Sequence, residues 1–369
     1  MPRADLRWWR PCQSRVPAAA AFLSFIRSLE AFEVELLLGQ PVGIFVYSTR
    51  IYDFVRQEPP RLGEATALGS VFLVVMLGLA LLYQAHLRGR QFTTVTGSAY
   101  ATRPLRLGAW RWVAAGACSG YLTIGLAAPL IFLVTGSFMR RYGFFQIREP
   151  FTLAHWQAVF QDSIFLPSVW NSFLIATGTA LLVVLIYSLV AYVVVRSKLP
   201  SAGLVDLLAW LPWGTPGILL SLGLLWLFLT TPLRTLLYGT LGGIVVALLL
   251  KESPTSTQLF KAAYHQISRD LEEAARVSGA SWLTVYVRVF LPLLAPTAVT
   301  IWLLAFASSI RDIGTSVLLY SPQSRPLSIL MLEYSFSGEL ERGSAAGILI
   351  TGLVMALMLA SHWWTRQAA

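Results

Sequence analysis

Apolar residues run through this chain in blocks of roughly 20, the length a helix needs to cross about 30 Å of hydrocarbon. About eight such blocks stand out, at 16–34, 64–85, 114–136, 168–195, 203–229, 234–251, 293–316 and 343–364. Backbone groups in lipid must be satisfied within each segment. The pattern therefore predicts an all-α, polytopic membrane protein with about eight transmembrane helices. Pro212, Gly214, Pro216 and Gly217 interrupt the fifth block and predict a broken or kinked span there. Between the sixth and seventh blocks lies a polar, helix-forming stretch, 252–292, which belongs in water beside the membrane.

Self-similarity adds a second level of organisation. Ala21-Phe22-Leu23-Ser24-Phe25-Ile26-Arg27 reappears as Ala305-Phe306-Ala307-Ser308-Ser309-Ile310-Arg311, and Gln40-Pro41 as Arg325-Pro326. Gly63, Ala65 and Gly69, followed by an apolar block, match Gly343, Ala345 and Gly347 and theirs. Blocks one and two thus read as a second copy of blocks seven and eight. Both copies cross in the same direction, as in parallel repeats about an axis along the membrane normal.

Composition agrees: 56% of residues are hydrophobic, only 12% charged, and mean hydropathy is +0.64. The net charge of +10 reads as positive-inside topology rather than nucleic-acid binding. Arg3, Arg7, Arg10 and Arg15, the arginines of the 86–113 linker, Arg196 and Lys198, and then Lys251, Lys261, Arg269, Arg276 and Arg288 all fall on one side. That side is the cytoplasm, with both termini there. Cys12 and Cys118 imply no structural disulfide.

The polar stretch carries the most specific pattern. Glu273-Ala274-Ala275-x3-Gly279-x9-Val289-x-Leu291-Pro292 combines an acidic first helical turn, small helix formers, and a glycine where a helix stop needs a left-handed residue. Ser268 or Asp270 can cap a first short helix and Ser281 a second, before Pro292 opens the next span. The spacing resembles the EAA loop of permease subunits of ABC importers. Ser24-x-Ile26-Arg27-Ser28-Leu29-Glu30-Ala31-Phe32-Glu33 and Arg311-Asp312-Ile313-Gly314-Thr315 resemble the fused permeases of ferric-iron-type importers, over nearly the whole chain from Ala18.

The resemblance implies an inner-membrane permease of an ATP-driven, binding-protein-dependent importer, with cargo such as ferric iron or a similar small solute. Residues 1–15 would be a cytoplasmic N-terminal segment with a truncated or misassigned start, and 16–85 the last two helices of a first permease half. A cytoplasmic linker would occupy 86–113. Residues 114–369 would form a second, six-helix half of type I importer fold, with the coupling loop at 252–292. Partners would be an ABC ATPase dimer gripping Glu273, Ala274, Ala275, Gly279, Val289, Leu291 and Pro292, and a periplasmic or extracellular solute-binding protein. A missing N-terminal half or a second permease copy would complete the channel. ATP would be bound by the partner, so the chain needs no cofactor of its own.

Ionisable residues inside spans often mark pathways, though a structural ion pair or snorkelling to the interface also accounts for them. Arg311 with Asp312, and Arg27 with Glu30, are therefore candidates for a gate or pore-lining pair, structural ion pairs being the alternative. No phosphate-binding G-x-x-x-x-G-K-[ST] motif, metal-ligand spacing or nucleophile motif occurs in the sequence. The chain reads as a transporter component and not an enzyme, with a secondary transporter, a channel or a nonfunctional remnant as rival readings.

Overall fold

The computed structural model describes residues 31–87, 108, 110–197 and 199–367 together with 24, 25 and 28, side chains excepted at 80–87, 214 and 360–367. Among these every named element is a helix, with one isolated antiparallel bridge between Met139 and Phe151. The first helices are α1 (Glu33–Gly39), α2 (Tyr47–Arg56) and α3 (Leu62–Leu87). A span follows as α4 (Trp110–Leu122) and α5 (Ala128–Phe138), joined by a π turn. Then come α6 (Ala154–Gln161), α7 (Phe165–Arg196), α8 (Ala202–Trp210), α9 (Gly217–Thr230), α10 (Arg234–Leu237) and α11 (Leu241–Gln266). The chain ends with α12 (Arg269–Val277), α13 (Trp282–Val285), α14 (Leu291–Ile310), α15 (Leu327–Phe336) and α16 (Leu340–Gln367).

Five helical stretches among the described residues are long and apolar enough to cross a membrane, or six if the bent pair α8–α9 is one span. The expected first block, 16–34, falls largely outside the described residues. The fifth block is broken by 113°, because Pro212 sits in a 3-10 turn and Pro216 precedes α9, denying that stretch a continuous backbone ladder. The sixth block, read as 234–251, is divided differently. Its first residues form the single turn α10, and α11 continues fifteen residues past Lys251 to Gln266. The polar loop thus begins at Ile267, and 252–266 is helix packed in the bundle.

Small residues explain how the bundle closes. On α7 the buried positions Ser168, Ser172, Ala176, Ala180, Val183, Tyr187 and Ala191 recur every three or four residues, a stripe facing α11 and α14. Little side-chain bulk there lets the backbones approach closely. Tyr187 Oη donates to Leu249 O at 2.8 Å, tying α7 to the middle of α11. One apolar core joins α7, α11, α14, α15 and α16 through Phe260, Tyr264, Phe290, Ile301, Phe306 and Leu330.

Helices α1 to α3 dock on a separate face. Phe32, Leu36, Ile51, Tyr52, Phe72 and Met76 pack with Ile218, Leu219 and Leu222 of α9 and with Ile313, Val317, Ile329 and Leu332. α2 and α15 are both ten residues long, and each precedes a long apolar helix. Each has serine in second position bonding back to the start of the preceding segment, which contains α1 in the first case: Ser48 Oγ donates to Ala31 O at 2.5 Å and Ser328 Oγ to Asp312 O at 2.8 Å.

Candidate functional site

At one end of the bundle the polar segment folds into a finger of two short helices. Ser268 Oγ accepts from Asp270 N–H at 3.2 Å and caps α12. Gly279 ends it with φ +84°, a conformation in which any β-carbon is strained. Ser281 Oγ then accepts from Thr284 N–H at 3.3 Å and caps α13. From Trp282 the chain stays helical through a π turn, Tyr286–Phe290, into α14, with Pro292 in its first turn.

Aromatic packing roots the finger. Tyr192 and Tyr264 meet Phe290 at 5.6 and 5.4 Å between ring centroids, and Trp282 stacks on Tyr286 at 5.9 Å. Such pairs contribute about 0.5–1.5 kcal/mol each beyond area burial. Arg196, at the end of α7, donates to the carbonyls of Tyr264 (2.8 Å) and Ile267, which closes the end of α11 where the finger departs.

The two adjacent glutamates separate by the 100° turn of the helix. Glu272 is buried, its Oε1 accepting from Tyr192 Oη at 2.9 Å and from Arg276 Nη2 at 2.6 Å. The Tyr192 hydroxyl, and then the charge of Glu272, hold the Arg276 guanidinium above its ordinary pKa. Glu273 is exposed with no ion pair among the described residues. Ala274 next to it is exposed, as are Leu291 and Pro292 at the start of α14, while Ala275 and Val289 are half-buried against the core. Val277 is 88% exposed, and Leu271, Trp282 and Leu283 are also exposed apolar side chains of the finger. The structure thus anchors the finger through Glu272, which the spacing pattern alone did not single out, and leaves Glu273 outward.

The second candidate cluster lies inside the bundle. Asp312 does not pair with Arg311. Its fully buried carboxylate takes Lys251 Nζ instead, because the turn after α14 points Arg311 elsewhere. The same carboxylate accepts from the N–H groups of Thr315 (2.9 Å) and Ser316 (3.1 Å) and from both hydroxyls (3.2 and 3.3 Å). Lys251, expected in the polar loop, therefore sits within the helical packing. Farther along α11, Lys261 Nζ meets both oxygens of Asp206 at 2.7 and 2.8 Å. The Arg311 side chain is exposed and makes no hydrogen bond or ion pair among the described residues, while its backbone N–H donates to Ser309 O. Arg27 and Glu30 lie outside the described residues.

Residues 188–368 match the family model described as binding-protein-dependent transport system inner membrane component. The ferric transport system permease protein FbpB of Actinobacillus pleuropneumoniae is 24% identical over 94% of this chain and 50% of its own length. The molybdate/tungstate transport system permease protein WtpB of Pyrococcus abyssi is 22% identical over 68% of this chain and 94% of its own. The chain spans about half the length of the ferric permeases it matches. In fold it is similar to a chain of a bacterial ABC transporter that imports alginate, with a TM-score of 0.56 at 19% identity, covering 70% of this chain and 95% of that one.

Proposed function

We propose, from the match of residues 188–368 to the family described as binding-protein-dependent transport system inner membrane component, that the chain is the permease subunit of an ATP-driven importer for ferric iron or a similar small solute. A separate ATPase dimer grips the finger, and a solute-binding protein delivers cargo at the other end of the bundle. Residues 16–85, with α3 as the second helix, act as the last two transmembrane helices of a first permease half, a reading supported by the matching serine bonds of α2 and α15. A further half or a second copy completes the channel. The finger end, rich in Arg196, Arg269, Arg276 and Arg288, faces the cytoplasm.

One observation carries this reading: a capped finger whose first helix, outside the candidate spans, exposes Glu273 together with apolar Leu271 and Val277. A charged and apolar surface on a short, rooted helix pair fits a groove in a partner protein. Glu273→Ala removes the outward charge without touching the Glu272 anchor. Gly279→Val forces a β-branched residue to φ +84°, a strain of about 1–2 kcal/mol confined to the finger tip. Each should lower ATP-driven uptake by about tenfold or more, the equivalent of about 1.4 kcal/mol of lost coupling, with membrane insertion intact. Uptake and ATPase capture equal to wild type in both variants would remove the coupling role.

A further inference from the structure

An open groove of about 570 Å³ lies at the end of α5, lined by Val134, Thr135 and Phe138 and, from the returning chain, by Phe151, Thr152 and Leu153. It sits at the end of the bundle away from the finger. The 32 residues of α7 run from Phe165, which follows this loop and α6, to Arg196 at the finger's root, about 48 Å at 1.5 Å per residue. Two backbone bonds tie the groove's walls together: Arg140 N–H donates to Pro150 O and Thr152 N–H to Phe138 O, both at 2.7 Å. Met139 and Phe151 thereby form the antiparallel bridge that closes the loop between them. Gly136 lets that loop lie on α5, since a β-carbon there would stand 2.3 Å from the Tyr142 ring. Trp156 of α6 stacks on Phe138 at 5.7 Å between centroids, and its indole N–H donates to Ser137 Oγ at 3.3 Å.

The surroundings of the groove are apolar on one side and basic on the other. From Trp110 to Thr135 no residue of the α4–α5 span is buried, and Val134 in the groove wall shares its exposed surface with Ile131 and Phe132. In a membrane that surface meets acyl chains. The loop above it exposes Phe144 and Phe145 together with Arg140, Arg141 and Arg148. The Arg141 guanidinium lies 5.7 Å over the Phe144 ring. Within the loop these three arginines face one acid, Glu149, which pairs with Arg140 at 3.3 Å. The nearby carboxylates of other elements are held by their own donors: Glu341 by Tyr142 N–H, Glu339 by Arg342 and Asp162 by the Tyr334 hydroxyl. Arginine is disfavoured in short loops at the non-cytoplasmic end of a span, so its enrichment here calls for a local anionic partner.

We propose that this groove binds one phospholipid of the outer leaflet, with an acyl chain along Val134, Phe138 and Leu153 and the phosphodiester received by Arg141 and Arg148. Guanidinium forks match phosphate oxygens in bidentate geometry, and aromatic rings such as Phe144 and Phe145 can settle at headgroup level beside them. Every phospholipid carries that phosphodiester, so the site reads lipid phosphate and not the net charge of the headgroup. The inference goes beyond the importer reading, because it needs only the span and its loop, and neither the ATPase nor the cargo.

The test titrates the purified full chain, in a non-ionic detergent, with palmitoyl-oleoyl-phosphatidylglycerol, with the phosphatidylcholine of the same chains, and with the matching diacylglycerol, which lacks the phosphate. Native mass spectrometry counts the lipids bound. At least one of the two phospholipids should bind in a first, saturable event about tenfold or more tighter than diacylglycerol. Arg141→Gln combined with Arg148→Gln should weaken that event by about tenfold or more. Val134→Trp, which fills the groove from an exposed position, should do the same with both arginines in place. These substitutions fall on exposed side chains, so both proteins should elute as monodisperse species; if the double variant aggregates, Arg148→Gln alone is read in its place. Diacylglycerol bound as tightly as either phospholipid, no saturable phospholipid binding, or a first event indifferent to both variants would overturn the proposal. Two other occupants are read in the same spectra. A dimer of the chain that Val134→Trp dissolves while lipid binding stays unchanged gives the groove to a second copy, and a solute-binding protein lost from the arginine variant alone gives the loop to that protein. Either result sinks the lipid site. Uptake is not part of the readout, so failure of the importer reading leaves this inference standing, and the reverse holds too.

Discussion

Asp312→Ala should destabilise the chain by about 1–3 kcal/mol, the cost of leaving buried donors without their acceptor, since Asp312 is fully buried while the Lys251 side chain is 35% exposed. Two losses combine. The Lys251 ammonium keeps its charge without its counter-ion, and the N–H groups of Thr315 and Ser316, with both hydroxyls, lose their common acceptor. The turn after α14 is built around that carboxylate, and the core against α2 and α15 includes Ile313 and Val317 from the same turn. Thermal unfolding of the detergent-solubilised chain, followed by size-exclusion fluorescence, measures the effect. Lys251→Met combined with Asp312→Asn should recover part of the loss, because neither charge then stays unpaired and the amide still accepts. An Asp312→Ala protein as stable as wild type would show that the turn is held by something else.

The second large effect is steric. A β-carbon on Gly243 would lie 2.1 Å from the carbonyl oxygen of Leu237, with Phe228 at 3.3 Å behind it. No rotamer relieves a clash between a β-carbon and backbone, so the start of α11 must shift as a whole. Gly243→Ala should therefore cost about 1–3 kcal/mol or more. The neighbouring Gly242 supplies the control, since a β-carbon there meets Leu237 and Thr240 side chains at 3.6 Å, ordinary contact distance. Gly242→Ala should leave thermal stability within about 0.5 kcal/mol of wild type. Equal stability of the two variants would refute the argument. Since Gly243 sets the start of the helix that carries Lys251, the same substitution should also reduce uptake.

Much of the architecture was written in local chemistry. Apolar runs foretold the long helices, and Ser268, Gly279 and Ser281 marked the finger's caps and stop because capping depends only on neighbours a few residues away. What escaped depends on partners distant in sequence. Lys251 ends an apolar run and so reads as an interfacial charge. Only Asp312, 61 residues later, keeps it inside the bundle. Glu272 and Glu273 are indistinguishable in the first turn of a predicted helix, and Tyr192, 80 residues earlier, decides which is buried. Pro212 and Pro216 announced a break but not its angle, which follows from where α9 packs against α3 and the Thr315 turn. Arg311 and Asp312 looked like a pair because they are adjacent, yet the turn sends them to different neighbours.

The unbroken run from Trp282 to Ile310 has a mechanical consequence. Its 29 residues span about 44 Å at 1.5 Å per residue, with the π turn Tyr286–Phe290, Pro292 and Pro296 as the places where the run can bend. Continuous helix thus links the finger at Trp282 to a point two residues short of the carboxylate that clasps Lys251, and any bend along that path falls on the π turn or the two prolines.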